Sequence, residues 1–360
     1  MHPHVLVGRG DDCAILRTPP TLCVSTDLFL EDVHFRRSYF LPHEIGHKAL
    51  AVNLSDIAAS GARPLGFSLG LMVPAGWPAD EADALLAGMA ALAAEHDVCL
   101  TGGDLSRSGT LGVCITVWGT GVDAHTRGAG GYLCRGAVQP GDVLFLVGLP
   151  GLARTGFMAL EALGREAALS QYPASCAAHL TPQPLLREGL TLAEVCRGLV
   201  RHGATPDQST AQKGDVQAGS EPARTITHTP VVGQGPAGAA PPAVALMDLS
   251  DGLARDLPRL LGSGVPGGGP VHGAALEIVP AMLHPEVVAF ATATGADPVL
   301  HAYRGGEDYC LLGACAAEHW RTLHEALPQA VAVGRVMPAG HGVTVNGDVV
   351  AVGGFDHFGA

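Results

Sequence analysis

The sequence of 360 residues has only two lysines, Lys48 and Lys213, against 34 aspartates and glutamates. Neither lysine lies in a GxxxxGK[ST] motif or in a strand like the one that carries the protein-kinase lysine, which excludes both kinds of ATP site. Arginines, backbone amides or metal ions must therefore neutralise any phosphate that the protein binds. The formal net charge of −13 argues against a nucleic-acid or anionic-membrane partner.

Long apolar runs and paired cysteines are also lacking. No apolar run approaches the roughly 18 residues that a membrane span needs, and no basic segment followed by an apolar stretch stands near Met1. The nine cysteines form no CxxC pair, which indicates buried thiols in a reducing compartment rather than a disulfide or zinc framework. We therefore expect a cytoplasmic protein without a membrane anchor.

Alternating strand-like and helix-like segments, in a chain that is 47% hydrophobic, predict a two-domain α/β (α+β) fold. A polar, glycine-rich stretch at 121–131 suits a boundary, so we expect one domain over 1–130 and another over 131–360. Residues 203–242 are rich in Gly, Ala, Pro, Thr, Gln and Ser, which is typical of a flexible surface insertion.

Three familiar motifs have simpler explanations. Residues 43–47 match the zincin pattern HExxH, but the two histidines lie opposite the apolar stripe of a helix predicted over 45–60, facing solvent. Residues 66–70 match GxSxG inside a continuous strand rather than at a nucleophile elbow. Residues 262–267 match GxGxxG but follow a helix and read as a loop. None of the three indicates a catalytic site.

Acidic residues at the ends of apolar segments are the stronger signal. Asp27 and Asp104 are predicted to end strands, and Asp248 and Asp251 flank a turn from strand to helix. Asp56 shares the buried stripe of the 45–60 helix, where a carboxylate must be paired, capped or metal-bound. Any one of these acids could be an ordinary cap or turn residue. Together, at strand ends where α/β sites assemble, they suit Mg²⁺ and a phosphate substrate.

The chain resembles the thiamine-monophosphate kinase family, within the wider aminoimidazole-ribonucleotide-synthetase-like superfamily. The resemblance runs from about residue 8 to 358, omitting the insertion, and its motifs are specific as an ordered set. They are GDD at 10–12, STD at 25–27, VHF at 33–35, KALAVNLSDIAA at 48–59, GGD at 102–104, MDLSDGL at 247–253, GGEDY at 305–309 and GFDHF at 354–358.

Site residues follow from the resemblance alone, position by position. It implies that several Mg²⁺ ions are held by Asp12, Ser25, Thr26, Asp27, Asp56, Asp104 and Asp248, with Asp251 a further ligand. Of these, Asp27, Asp56 and Asp104 would orient the two reacting phosphates. ATP contacts are implied for Gly103, Arg135 and Ser250, and for His96, where the family often has a tyrosine. Contacts to thiamine monophosphate are implied for His34, Glu307 and Phe355.

The resemblance implies ATP-dependent phosphorylation of thiamine monophosphate to thiamine diphosphate. It also implies a homodimer in which the strands of the N-terminal domain pair across subunits and a C-terminal α/β domain closes over the nucleotide. The attacking phosphate oxygen is already anionic, so in-line transfer needs positioning and charge neutralisation rather than a strong base. Two alternatives stay open: another synthetase of the superfamily, and a nucleotide-binding regulator without turnover.

Overall fold

This computed structural model describes residues 3–10, 12–122, 131–135, 138–199, 243–262 and 271–350. Four features named above lie wholly or mostly outside these residues: the 203–242 segment, Phe355, the 121–131 boundary and the GxGxxG loop after Gly262. No helix of the described ranges is long and apolar enough to cross a membrane.

A four-stranded sheet, a seven-stranded sheet, a separate pair formed by the first two strands and ten α-helices account for most of the described chain. The strands are β1 (Val5–Val7), β2 (Ile15–Leu16), β3 (Cys23–Leu30), β4 (Ala62–Pro74), β5 (Cys99–Ser108), β6 (Gly112–Gly121), β7 (Val143–Val147), β8 (Val244–Asp248), β9 (Gly273–Leu276), β10 (Leu311–Cys315), β11 (Ala330–Met337), β12 (Val343–Val345) and β13 (Asp348–Val349). The helices are α1 (Pro42–Ala59), α2 (Ala79–Glu95), α3 (Leu152–Leu163), α4 (Arg165–Gln171), α5 (Pro173–Leu180), α6 (Leu186–Arg197), α7 (Leu253–Leu260), α8 (Pro285–Ala293), α9 (Pro298–Tyr303) and α10 (Trp320–Ala326).

The first sheet has four strands in the order β3-β6-β4-β5, with β4 and β5 parallel and the other pairs antiparallel. Strands β3 and β5 are therefore its two edges. Both edges carry exposed apolar side chains: Val24 on β3 is 62% exposed and Leu105 on β5 is 67% exposed. An apolar side chain on an open edge strand is a feature that folded proteins usually cover.

The second sheet has seven strands in the order β13-β12-β9-β11-β7-β10-β8. Side chains alternate across a strand, so the fully buried β7 serves two cores. Phe145 belongs to a core that also contains residues of α1, α2 and the first sheet, whereas Leu144 and Leu146 belong to a second core with residues of α7 and α9. The larger core therefore contains residues of both sheets. The two sheets with their flanking helices confirm the predicted two-domain α/β fold class.

Helix α1 is buried on nearly all sides rather than along one stripe. Glu44, Lys48, Asn53 and Ser55 are buried together with the apolar residues of the helix. The prediction that both histidines of the HExxH match face solvent is thus only half right. His43 is exposed, but the Nε2 of His47 lies 3.0 Å from the carbonyl oxygen of Pro182, because α1 has neighbours on that side as well.

Two glycines let α1 and α2 touch backbone to backbone. A Cβ at Gly46 of α1 would lie 1.9 Å from the carbonyl oxygen of Leu85, and one at Gly88 of α2 would lie 2.0 Å from that of His43. Real Cβ atoms do not approach so closely, so any larger residue at either position forces the helices apart. Glycine is a weak helix former, but Gly46 is needed for this contact.

We expect Gly88→Ala to destabilise the protein by about 3 kcal/mol, the upper end of the cost of overpacking a core. The added methyl group meets the backbone of α1, which cannot yield as a flexible side chain would. Urea unfolding measures the change. Gly109→Ala is the matched control, since a Cβ there meets nothing within 4 Å. Equal stability of the two variants would contradict the close contact.

Two predicted strand ends are wrong, and both matter for the site. Asp27 lies in the middle of β3, which continues to Leu30. Gly102, Gly103 and Asp104 lie within β5, which continues to Ser108 through its parallel pairing with β4. In both places pairing with a neighbouring strand extends an element beyond the point where the sequence turns polar or glycine-rich.

Candidate active site

A cleft of about 550 Å³ opens between the first sheet, α1 and the β8 edge of the second sheet. Its lining includes nine of the residues selected from the sequence: Ser25, Asp27, His34, Asp56, Arg135, Asp248, Ser250, Asp251 and Glu307. The other lining residues are mostly aromatic or aliphatic, with two further arginines. The cleft therefore combines an acidic group with an apolar group of side chains.

The acidic group is assembled from three elements. Asp27 comes from β3, Asp56 from the last turn of α1, and Asp248 from the end of β8. The hydroxyl of Ser25 donates a hydrogen bond to the Asp56 carboxylate, and the hydroxyl of Ser55 donates to Oδ2 of Asp248 at 2.9 Å. Consecutive residues of α1 thus contact one sheet and then the other.

These carboxylates lie close enough to perturb one another. Burial, and then the negative charge of Asp56, raises the pKa of Asp27 to about 6. The same two causes, in the same order, raise the pKa of Asp248 to about 8. Burial also raises the pKa of Asp56, opposed by its hydrogen bond from Ser25 and by the charge of Arg135. With all three carboxyls ionised, the group would therefore carry more negative charge than its neighbours compensate.

The oxygen donors of this group fit Mg²⁺, which prefers carboxylates and hydroxyls and would offset the excess negative charge. Within the described ranges, no three His, Cys, Asp or Glu side chains converge closely enough to hold an ion by themselves. Mg²⁺ is usually held by one or two carboxylates together with waters and substrate phosphates. Asp27, Asp56 and Asp248 are the residues that would hold it.

Asp251 differs from these three because its charge already has partners. Arg259 donates a hydrogen bond to its Oδ2 at 2.8 Å, and Nε of Arg255 lies 3.6 Å from the same oxygen. Arg259 also bonds the buried carboxylate of Asp256 at 2.6 Å. The side chain lines the cleft, but the structure gives it a role in fixing α7 beside the cleft.

The apolar group consists of aromatic residues in mutual contact. Phe29 and Phe35 stack with ring centroids 4.9 Å apart, and Phe157 lies 5.6 Å from the ring of His179. Leu28, Val33 and Tyr39 complete this part of the lining. Such a surface suits a planar organic ring system, which gains from both burial and ring stacking.

His34 lines this part of the cleft. Its Nδ1 accepts the backbone N–H of Leu30 at 3.1 Å, so the hydrogen of the neutral ring must reside on Nε2. The ring lies next to Phe29, with the ring centroids 5.8 Å apart. Because Nδ1 already accepts this hydrogen bond from Leu30, the ring cannot serve as a base through Nδ1.

Glu307 has partners that the sequence does not reveal. Its Oε2 lies 3.3 Å from Nζ of Lys48 and 3.0 Å from Nδ1 of His179, and its φ of 61° is uncommon for a residue with a side chain. Burial raises the pKa of Glu307, but the Lys48 ammonium and then His179 outweigh it and lower the pKa to about 2. Glu307 is therefore ionised and already paired.

Four basic residues of the cleft region escaped the sequence analysis. Arg36 and Arg154 line the cleft and add positive charge beside Arg135. Lys48 and His179 both contact Oε2 of the Glu307 carboxylate. Only Lys48 gave a signal, as one of two lysines and part of a predicted helix. His179 comes from α5, a helix that the sequence analysis did not predict, 131 positions further along the chain.

Five other selected residues are described but do not line the cleft: Asp12, Thr26, His96, Gly103 and Asp104. The alternation of β3 directs Thr26 away from Ser25 and Asp27, and its hydroxyl lies 2.8 Å from that of Thr116. Asp104 lies on the edge strand β5, three strand spacings or roughly 14 Å from β3. These positions argue against Thr26 and Asp104 sharing one ion with Asp27 in the same chain.

Comparison with known proteins agrees with this fold. The family model described as "AIR synthase related protein, N-terminal domain" matches residues 10–122. A thiamine-monophosphate kinase of Mycobacterium tuberculosis is 30% identical over 331 residues, covering 90% of this chain and 80% of that protein. A crystal structure of thiamine-monophosphate kinase from Stenotrophomonas maltophilia K279a matches with a TM-score of 0.71 and 27% identity, over 97% of this chain and 93% of the other. A structure described as "AaThiL complexed with AMPPCP and TMP" matches with a TM-score of 0.69 and 24% identity, over 94% and 87% of the two chains.

The fold is that of a two-domain α/β enzyme whose N-terminal part matches the AIR-synthase-related domain, and its cleft holds an acidic group beside an aromatic surface. Within that class, the chain belongs to the thiamine-monophosphate kinase family. The family resemblance drawn from the sequence motifs is thereby confirmed.

Proposed function

We propose that this protein transfers the γ-phosphoryl group of ATP to the phosphate of thiamine monophosphate, giving thiamine diphosphate and ADP. One observation carries the proposal: a single cleft combines the Asp27–Asp56–Asp248 group with an aromatic lining. The first suits two phosphates and their metal ions, and the second suits the pyrimidine and thiazolium rings. A protein of the same family carries the name thiamine-monophosphate kinase, which supports the same reaction.

The residues of the cleft supply positioning and charge rather than a covalent intermediate. A phosphate oxygen of thiamine monophosphate attacks the γ-phosphorus in line, the bond from that phosphorus to the β-phosphate oxygen breaks, and ADP leaves. Mg²⁺ held by the acidic residues of the cleft would supply charge neutralisation for the phosphates. Asp27, Asp56 and Asp248 hold the acidic side of the cleft, and Arg135 offsets the developing charge.

We further propose a cytoplasmic, Mg²⁺-dependent homodimer with domains over 1–130 and 131–360. The exposed apolar side chains on the edge strands β3 and β5 support pairing with a second copy. All nine cysteines lie in the described part of the chain as free thiols, as expected in a reducing compartment. A metal-ligand role for Asp104 would need a site completed by the second copy.

Release of ADP on mixing with ATP, Mg²⁺ and thiamine monophosphate tests the proposal. We expect ADP and thiamine diphosphate in equal amounts, detected by coupled assay and by chromatography, and no product without Mg²⁺. ATP binding without turnover would instead indicate a regulator. Turnover with another acceptor, but not with thiamine monophosphate, would indicate a different enzyme of the AIR-synthase-related class.

A further inference from the structure

Lys48 is the feature of the molecule that the proposed reaction leaves unexplained. Its side chain is 0% exposed, although a buried ammonium is costly unless it is paired. It does not line the cleft; its Nζ contacts Oε2 of Glu307 at 3.3 Å and lies 5.5 Å from the ring centroid of Phe40. Glu307 does line the cleft, with 30% of its side chain exposed. Any influence of Lys48 on a substrate therefore passes through Glu307.

The hydrogen-bond geometry defines how Glu307 is held. Nδ1 of His179 lies 3.0 Å from Oε2 of Glu307 and 3.3 Å from Nζ of Lys48. Because the ionised carboxylate can only accept, the shorter contact to Oε2 places the ring hydrogen on Nδ1, which donates it. Burial and then Lys48 lower the pKa of His179, which keeps the ring neutral. Nε2 of His179 is buried without a hydrogen-bond partner among the described residues, which also disfavours a hydrogen there. Lys48 and His179 thus both donate to Oε2, and Oε1 is left for the cleft.

This arrangement changes what Glu307 can offer a ligand. The charges of Lys48 and Glu307 cancel, so the carboxylate is not a free counter-charge for a cationic ring. It is a hydrogen-bond acceptor in a fixed orientation, on a backbone held at a φ of 61°. The amide N–H of Glu307, bonded to the carbonyl oxygen of Ser250 at 2.7 Å, fixes its main chain as well. An acceptor so constrained suits an N–H donor such as the amino group of an aminopyrimidine.

We propose that Lys48 is a positioning residue that, with His179, holds Oε2 of Glu307 so that Oε1 accepts a hydrogen bond from the aminopyrimidine of thiamine monophosphate. This inference rests on the proposed function for the identity of the ligand. It assigns to the buried lysine a part in recognition of the organic end of the acceptor, at a distance from the phosphates.

Lys48→Met tests it, since methionine keeps the length of the side chain and removes the charge. We expect KM for thiamine monophosphate to rise roughly tenfold to a hundredfold, the loss expected when a hydrogen bond to a charged group is disrupted. KM for ATP should stay within twofold and kcat within threefold. The Kd of thiamine monophosphate without ATP, measured by calorimetry, should rise in parallel with its KM.

Two further variants guard against a purely structural explanation. Lys48→Met combined with Glu307→Gln removes both charges, and its thermal midpoint should exceed that of either single variant, because no buried charge is left unpaired. Glu44→Gln is the matched control: Glu44 is buried on the same helix and paired with Arg165 at 2.7 Å, outside the cleft. It should lower the thermal midpoint and leave both KM values unchanged.

The outcomes separate the two proposals. An unchanged KM and Kd for thiamine monophosphate in Lys48→Met, or the same rise in Glu44→Gln, overturns the positioning role. A double variant no more stable than the single variants overturns the pairing itself. A wild-type chain that binds thiamine monophosphate without transferring phosphate overturns the proposed function, and the calorimetric values then decide on Lys48. A wild-type chain that does not bind it overturns both.

Discussion

Asp56→Asn is expected to lower the rate of phosphoryl transfer by roughly a hundredfold or more while leaving the fold intact. The negative charge of Asp56 contributes to the raised pKa values of both Asp27 and Asp248. The Asp56 carboxylate also accepts a hydrogen bond from the hydroxyl of Ser25. Asparagine keeps an oxygen that can accept that hydrogen bond but loses the charge that a metal ion needs. Steady-state ADP release at saturating Mg²⁺ measures the loss.

The same substitution should not lower the thermal stability of the protein, although it lowers the activity. Burial raises the pKa of Asp56, so the ionised form is less stable in the fold than in water, and a neutral amide removes that cost. We therefore expect the thermal midpoint of Asp56→Asn at pH 7 to equal or exceed that of the wild type. Asp297→Asn is the control for the chemical change, because Asp297 caps α9 by accepting the N–H of Leu300 at 2.8 Å, away from the cleft. Near-normal turnover of Asp56→Asn would remove Asp56 from the reaction.

Thiamine without its phosphate is expected to be a very poor acceptor, by roughly a thousandfold or more in kcat/KM. A primary alcohol needs a general base to become a nucleophile, a contribution of about 10²–10⁴-fold, whereas a phosphate monoester is already anionic. The two histidines that line the cleft are both engaged at Nδ1, His34 with the N–H of Leu30 and His179 with Glu307. Neither is arranged to take the proton of an alcohol.

Competition kinetics with ATP fixed and both acceptors present give the ratio directly. Thiamine should also inhibit weakly, because the aromatic lining would still bind its rings. Comparable turnover of the two acceptors would mean that a base acts in the cleft and would overturn the assignment of Asp27, Asp56 and Asp248 as metal-binding groups alone.

The sequence predicted the acidic group well because each member stands beside a strong local signal. Asp56 follows a long apolar helical pattern, and Asp248 follows a buried strand that ends where predicted. Ser25 and Asp27 are two positions apart on a strand and so share a face whatever the strand's length. Their place in the cleft did not depend on the strand end, which the sequence put too early.

The partners of Glu307 could not be predicted in the same way. Lys48 and His179 meet only because α1 and α5 pack together, and α5 follows α4 after a single residue, Tyr172. Short helices that begin at a proline within an alanine-rich stretch leave little periodicity to recognise. A search for buried lysines would have selected Lys48, but nothing in its neighbourhood along the chain indicates a carboxylate 259 positions away.

The order of the strands in the first sheet also could not be predicted from the sequence. Asp104 and Asp27 both belong to motifs of the resemblance, and nothing local separates them. The order β3-β6-β4-β5 puts them on opposite edges of one sheet. Sheet order depends on long-range pairing, such as that of β3 with β6, whose partners are about 90 residues apart.

Helix α1 also determines how the protein should unfold. It is buried among both sheets, and its consecutive residues Ser55 and Asp56 bond to β8 on one side and β3 on the other. Neither sheet can lose its structure without exposing this helix and the core that it shares with the other sheet. The chain should consequently unfold as a single cooperative unit, with the amides of α1 among the slowest to exchange with deuterium.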